Sequence, residues 1–264
     1  MGLFRRSRVN IPVVRLSGAI GMGSALRPGL SLATVELPLA RAFAMKAPCV
    51  ALIINSPGGS PAQSSLIAGR IEALSKEKDR PVIAFVEDVA ASGGYWLATA
   101  ADEIIADATS IVGSIGVISA SFGFVDLLDK VGVERRVYTA GESKSVLDPF
   151  QPEKARDIEI LKAVQGDIHD AFIGQVKGRR GDKLADNAEI FSGRFWSGTA
   201  ALPLGLIDGL GNARAVLRER YGEKVRLRVM PAARPSLLRR RLGLQAEDLF
   251  GAARTDALFA RYGL

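Results

Sequence analysis

The sequence predicts an α/β fold: a mostly parallel sheet with flanking helices. Three observations carry this. Short apolar runs such as Val50–Ile54 and Val82–Val86 are the right length for buried strands and end at turn residues. Longer segments with apolar residues at helical spacing follow such runs. The two kinds of segment alternate along the chain, as crossover connections between parallel strands require.

Taken in order, Ile11–Leu16 reads as a first strand, and residues 31–46 as a helix with an awkward Pro38 inside it. Val50–Ile54 is a buried strand that stops at Pro57-Gly58-Gly59. Residues 61–78 carry Leu66, Ile67, Ile71 and Leu74 between Lys and Glu, the pattern of a helix. Val82–Val86 is the next buried strand, and a helix is expected to begin near Ser92. Further strands are expected at Glu103–Ala106, Val117–Ser119 and Arg136–Thr139, with a helix over 123–131. A long amphipathic helix spans 152–179, its stripe formed by Ile158, Ile160, Leu161, Val164, Ile168, Phe172 and Val176. Residues 9–230 form the expected domain, and 231–264 a basic C-terminal segment. Within that segment 231–246 reads as a linker, and 247–262 as an amphipathic helix using Leu249, Phe250, Ala253, Ala257 and Leu258.

At 264 residues, 48% hydrophobic and 24% charged, the composition is that of a globular protein with ample material for a core. Cys49 is the lone cysteine, which excludes an internal disulfide, and His169 is its only possible Cys/His metal partner. The same count restricts any Ser-His-Asp scheme to His169, which sits mid-helix and reads as structural. The net charge of +7 is uneven. Residues 1–8 hold three Arg and no acid, residues 212–264 hold 12 basic and 5 acidic residues, and the body between them is mildly acidic. A nucleic-acid-binding domain is therefore not expected, while the basic ends suit subunit contacts or loose attachment to anionic lipid, with Arg239, Arg240 and Arg241 as its centre. No stretch approaches the roughly 20 apolar residues of a membrane span, and no apolar run follows Arg5, Arg6 and Arg8 as in a secretory signal. The expectation is a soluble cytoplasmic protein, with peripheral attachment at the membrane as a second option.

Three constellations could carry chemistry. In Asn55-Ser56-Pro57-Gly58-Gly59-Ser60 a strand ends on paired glycines, whose turn can leave N–H groups aimed at an oxyanion or can simply be a turn. In Ala90-Ala91-Ser92-Gly93-Gly94-Tyr95-Trp96 a serine opens a helix, where it is either a nucleophile favoured by the helix dipole or an ordinary N-cap. In Gly141-Glu142-Ser143-Lys144-Ser145 a lysine sits in a Gly/Ser loop, a general base if burial neutralises it and otherwise a solvated surface charge.

Together these segments resemble the signal peptide peptidase A (protease IV) family of serine peptidases. The resemblance covers most of 11–228 and includes VVRLSGAIG, INSPGGS, EDVAASGGYW, Gly113-Ser114-Ile115-Gly116-Val117, GESKSVLDPF, Ile190-Phe191-Ser192-Gly193-Arg194 and Gly205-Leu206-Ile207-Asp208-Gly209. It implies a ClpP/crotonase-like fold, here in a half-length form without a membrane anchor. It also implies Ser92 as nucleophile, Lys144 as general base, the Gly59 and Gly93 amides as oxyanion hole, Gly58 as the residue shaping the turn, and Ser114 as the hydroxyl orienting the lysine. Tyr95 and Val117 are expected along apolar substrate pockets. The implied partners are a hydrophobic peptide substrate, such as a signal-peptide remnant, and further copies of the chain in a homo-oligomeric ring where Ser92 faces a neighbour's Lys144. The implied reaction needs no cofactor. Two rivals stand beside it: a crotonase-like acyl-CoA hydratase or hydrolase, and a catalytically silent oligomeric scaffold.

Overall fold

The computed structural model describes residues 9–21, 29–231 and 255–264. The chain divides into two compact units, one formed by Met1–Gly116 with Phe172–Leu264 and the other by Val117–Ala171.

The first unit is built on an eight-stranded sheet. Its strands are β1 (Asn10–Ser17), β2 (Val50–Ser56), β3 (Val82–Ala91), β4 (Glu103–Ala106), β5 (Ile111–Gly113), β6 (Phe195–Ser197), β7 (Gly209–Leu210) and β8 (Arg226–Val229). The main path runs β6-β5-β3-β2-β1-β8, with β4 pairing to β3 and β7. Every pairing is parallel except β5 with β6, so the expected α/β architecture is present. Its helices are α1 (Leu32–Ala44), α2 (Pro61–Lys78), α3 (Gly93–Thr99), the last part of α5 (Ala155–Arg180) from Phe172 onward, the short α6 (Gly198–Ala201) and α7 (Ala213–Tyr221).

Alternation within the central strands produces two cores. Leu52, Ile54 and Ala84 face one side of the sheet, where they meet Val35, Leu39 and Phe43 of α1, Ile67 and Ile71 of α2, and Leu97 of α3. Ala51, Ile53, Ile83 and Phe85 face the other side, where Leu217 of α7 covers them. Burial on both faces is why β2 and β3 read as continuous apolar runs. Helix α2 starts on Ser60, whose side chain accepts from the Gln63 amide, with Pro61 at its first position, and it ends on Asp79 in the left-handed region. Helix α1 continues through Pro38, which is buried.

A buried ion pair closes this unit. Arg180, at the end of α5, is 3% exposed and donates to both Asp208 carboxylate oxygens at 2.7 and 3.1 Å and to the Gly205 carbonyl at 2.8 Å. Asp208 also accepts from Lys183 and from the Ile104 amide.

Two expected strands are absent. Val117–Ser119 and Arg136–Thr139 carry no strand pairing, and the ladder residues are instead Ile111–Gly113 on β5. Both segments lie in the second unit, where Ile118 is 67% and Tyr138 90% exposed, so their β-forming residues have no neighbouring strand to pack against. That unit contains α4 (Val125–Val131) and α5 as far as Ala171, and none of its residues is fully buried. Its own contacts are local. Phe124 stacks on Phe150 and meets Phe122 at a tilt, and Arg135 lies over the Phe150 ring while pairing with Asp148.

The expected linker at 231–246 and most of the expected helix at 247–262 lie outside the described residues, apart from Pro231. Within 255–264, residues 255–260 are helical.

Candidate active site

Strand β3 runs straight into Ser92, and α3 starts at the next residue. Ser92 takes φ 52° and ψ −125°, a left-handed conformation that a side chain with a Cβ adopts only under constraint. The constraint is visible. Its amide donates to the Gly113 carbonyl at 2.8 Å, and its carbonyl accepts from Tyr95 and Trp96 in the first turn of α3. Its hydroxyl makes no capping hydrogen bond, so Ser92 does not serve as the side-chain N-cap of α3.

The Pro57-Gly58-Gly59 turn lies directly against this serine. A Cβ on Gly58 would fall 2.8 Å from the Ser92 Cβ and 2.9 Å from the Gly93 nitrogen, and Gly58 itself has φ +100°. The turn is held from both sides: the Ser56 hydroxyl accepts from the Gly58 amide and donates to the Gly18 carbonyl, and the Ile20 amide donates to the Gly58 carbonyl at 2.8 Å. The Ser60 amide in turn donates to the Ile20 carbonyl, which leaves Gly59 (φ +141°) pressed against Ile20. Gly93 is equally confined, since a Cβ there would meet the Ser64 hydroxyl at 2.4 Å. Among the described residues, neither the Gly59 nor the Gly93 amide donates to a protein acceptor. A first-turn amide has no partner inside its own helix, so the Gly93 N–H is available to an external oxygen.

Ser114 is buried with φ 54°, its amide bonded to the Arg194 carbonyl at 2.7 Å. Gly113 must be glycine because Trp196 of β6 packs on it, 2.8 Å from where a Cβ would stand. Tyr95 is fully enclosed, and its hydroxyl donates to the Leu206 carbonyl at 2.7 Å. Burial pushes its phenol far above the usual tyrosine range. Trp96 is likewise buried and stacks on Phe172 at 4.8 Å.

Ser92, Gly58, Gly59, Gly93, Ser114 and Tyr95 thus belong to the first unit, and the first four converge on one point. Lys144 and Val117 belong to the second. Lys144 is exposed in a turn, its amide donating to the Gly141 carbonyl, and Val117 is half-buried. Sequence reasoning missed three contributors to the first unit's part of the site. Ile20 braces the turn through its backbone, Ser64 fills the space beside Gly93, and Tyr262 donates to the Ser114 hydroxyl. Only Ile20 had a local signal, the glycines on either side of Ala19-Ile20.

Residues 74–225, more than half of the chain, match the profile of Peptidase family S49. The chain belongs to peptidase family S49. It is 56% identical over 278 residues to a protein of Brucella abortus named Na(+)/H(+) antiporter NhaA, covering 99% of this chain and 38% of that one. It is 32% identical over 219 residues to the chloroplastic serine protease SPPA of Arabidopsis thaliana, covering 79% of this chain and 32% of that one. With Protease 4 of Haemophilus influenzae it shares 36% identity over 166 residues, covering 62% of this chain and 26% of the other. The S49 chain therefore spans well under half the length of these relatives. Among solved structures it resembles a serine-to-alanine mutant of the 1510-N membrane-bound stomatin-specific protease. The TM-score is 0.51 at 16% identity, covering 86% of this chain and all of the other, a likeness of fold that agrees with the ClpP/crotonase-like class.

Proposed function

We propose that this S49 chain is a serine endopeptidase with a Ser92–Lys144 dyad that hydrolyses hydrophobic peptides such as signal-peptide remnants. The observation that carries the proposal is the state of Ser92: held at positive φ, its hydroxyl capping nothing, with the Gly58-Gly59 turn and the Gly93 amide beside it. In the proposed reaction the neutral amine of Lys144 takes the Ser92 hydroxyl proton as the oxygen attacks the peptide carbonyl. The Gly59 and Gly93 amides stabilise the tetrahedral oxyanion, with Gly58 shaping the turn that presents Gly59. The lysine then gives its proton to the departing amine, and water repeats the cycle on the acyl-enzyme. Ser114 orients the lysine.

A lysine acts as a base near neutral pH only when it is shielded from water. In a single chain Lys144 is exposed, and no residue of Val117–Ala171 is buried although Ile118, Phe122, Val133 and Tyr138 are all more than half exposed. Both facts support a homo-oligomeric ring in which a neighbouring copy covers this unit and the Lys144 of one copy serves the Ser92 of the next.

A serine-reactive fluorophosphonate tests the nucleophile: wild-type protein labels once, Ser92→Ala does not, and labelling that survives in Ser92→Ala overturns the assignment. Mixing Ser92→Ala with Lys144→Ala chains tests the sharing, because adjacent mixed pairs rebuild intact dyads. Absence of any regained peptidase activity in proven mixed assemblies rejects it.

The same chain is proposed to touch anionic membrane through its basic C-terminal part. Among the described residues no helix is long and apolar enough to cross a membrane. Arg214 and Arg218 of α7 and Arg226 and Arg228 of β8 line an open cleft of about 410 Å³, a concentration of positive charge suited to lipid phosphates. Co-sedimentation with anionic vesicles is expected to weaken on charge reversal at Arg239, Arg240 and Arg241, and unchanged binding removes these three from the proposal.

A further inference from the structure

The geometry points to Tyr262 as a positioning residue of the active site, acting through Ser114. This rests on the Ser92–Lys144 reading. Tyr262 lies 148 residues after Ser114, in a C-terminal segment where it is the only buried residue among 255–264. Its ring covers Val89 and Ala91, the last residues of β3 to face this side before Ser92, together with Ile111 and Phe259. Phe195 of β6 meets it edge-on at 5.2 Å between ring centroids. Its hydroxyl donates to the buried Ser114 hydroxyl oxygen at 3.3 Å.

The apolar contacts alone would suit phenylalanine. What they do not require is the hydroxyl, which is aimed at the one side chain proposed to orient the base. A serine hydroxyl is a rotor with one proton to give. When Tyr262 donates to one lone pair of its oxygen, the other is left to accept, on the proposed reading, an N–H of the Lys144 amine, whose own lone pair stays free for the Ser92 proton. The phenol thereby fixes the Ser114 rotor, so that the lone pair offered to the lysine keeps one direction. Tyr262 touches no reacting atom itself. It sets the direction in which Ser114 works.

The test is a double-mutant cycle on the full-length assembled protein, using Tyr262→Phe, Ser114→Ala and the pair, with a fluorogenic hydrophobic peptide. Tyr262→Phe keeps the ring and its packing. It is expected to lower kcat and the rate of phosphonate labelling about three- to tenfold, the scale of one hydrogen bond, with KM unchanged. Added to Ser114→Ala it is expected to change nothing further. A Tyr262→Phe enzyme with full kcat, or a penalty that multiplies with that of Ser114→Ala, overturns the inference. Ser92→Ala and Lys144→Ala run alongside: activity surviving in either overturns the dyad reading, whereas inactive controls beside an unaffected Tyr262→Phe overturn only the role of Tyr262.

Discussion

Ser92 is held at φ 52° by bonds on both sides of it, and non-glycine residues in such conformations carry on the order of 1–3 kcal/mol of strain. Two substitutions separate that strain from the chemistry. Ser92→Gly removes both the hydroxyl and the Cβ, so it is expected to abolish labelling while raising stability by about 1 kcal/mol, after the extra unfolded-chain freedom of glycine is subtracted. Ser92→Ala keeps the Cβ and is expected to lose labelling without that gain. Thermal melts of the two variants decide the matter, and a Ser92→Gly chain that melts below Ser92→Ala by the usual glycine cost would mean that the backbone there is not strained. Gly58→Ala should act in the opposite sense. Its Cβ would stand 2.8 Å from the Ser92 Cβ and 2.9 Å from the Ala91 carbonyl oxygen, at φ +100°, so the turn must move away from Ser92. A displaced oxyanion donor costs about 100-fold or more in turnover, so labelling and peptide cleavage should fall by at least that factor. Gly18→Ala provides the comparison, since φ is also positive (+96°) there but the space is open, and activity should survive.

Among the elements, the Arg180–Asp208 pair joins the end of α5 to the loop before β7 and, through the Ile104 amide, to β4. Burial of the Asp208 carboxylate works to raise its pKa, but hydrogen bonds from Arg180, Lys183 and the Ile104 amide outweigh it and hold the group below the usual aspartate value. A depressed folded pKa means that the stabilisation is present above the unfolded-state value near 4 and is lost as pH falls through the lower folded one. Asp208→Asn leaves Arg180 buried without its counter-charge, which should cost about 3–5 kcal/mol and flatten the fall in stability below about pH 4. Urea midpoints at pH 7 and pH 3 test both parts. Legibility in the sequence follows the same physics. β2, β3, β4 and α2 were readable because periodicity and turn residues act within a few positions. β5 and β6 were not, being three residues each and defined by Trp196 packing on the bare backbone of Gly113. Val117–Ser119 and Arg136–Thr139 misled because β-forming side chains announce burial without saying which surface provides it. For the site, the Ser92 motif and the Pro-Gly-Gly turn were visible locally, whereas the Tyr262–Ser114 contact joins residues 148 apart and no short-range pattern encodes it.

At the scale of the whole molecule, the two units differ in kind. The first has a core on both faces of its sheet, while none of the 55 residues from Val117 to Ala171 is fully buried within one chain. The long helix shows the same division along its length: Phe172, Val176 and Arg180 are buried, but Val164 of the expected apolar stripe is 51% exposed. Ordering that many residues costs roughly 1 kcal/mol or more apiece in backbone entropy, which aromatic contacts of about 1 kcal/mol each cannot offset. Exposed apolar side chains such as Ile118, Phe122, Val133 and Tyr138 suit an interface. If a second copy of the chain covers it, Phe122→Glu with Tyr138→Glu should place charge in the buried contact without touching the core of the first unit. Sedimentation should then show dissociation to single chains, with circular dichroism retaining the sheet signal. Peptidase activity should disappear along with the assembly, because Lys144 stays in the uncovered unit and keeps its water. An assembly that persists would remove Phe122 and Tyr138 from the interface, and single chains that cleave peptide at the wild-type rate would separate catalysis from association.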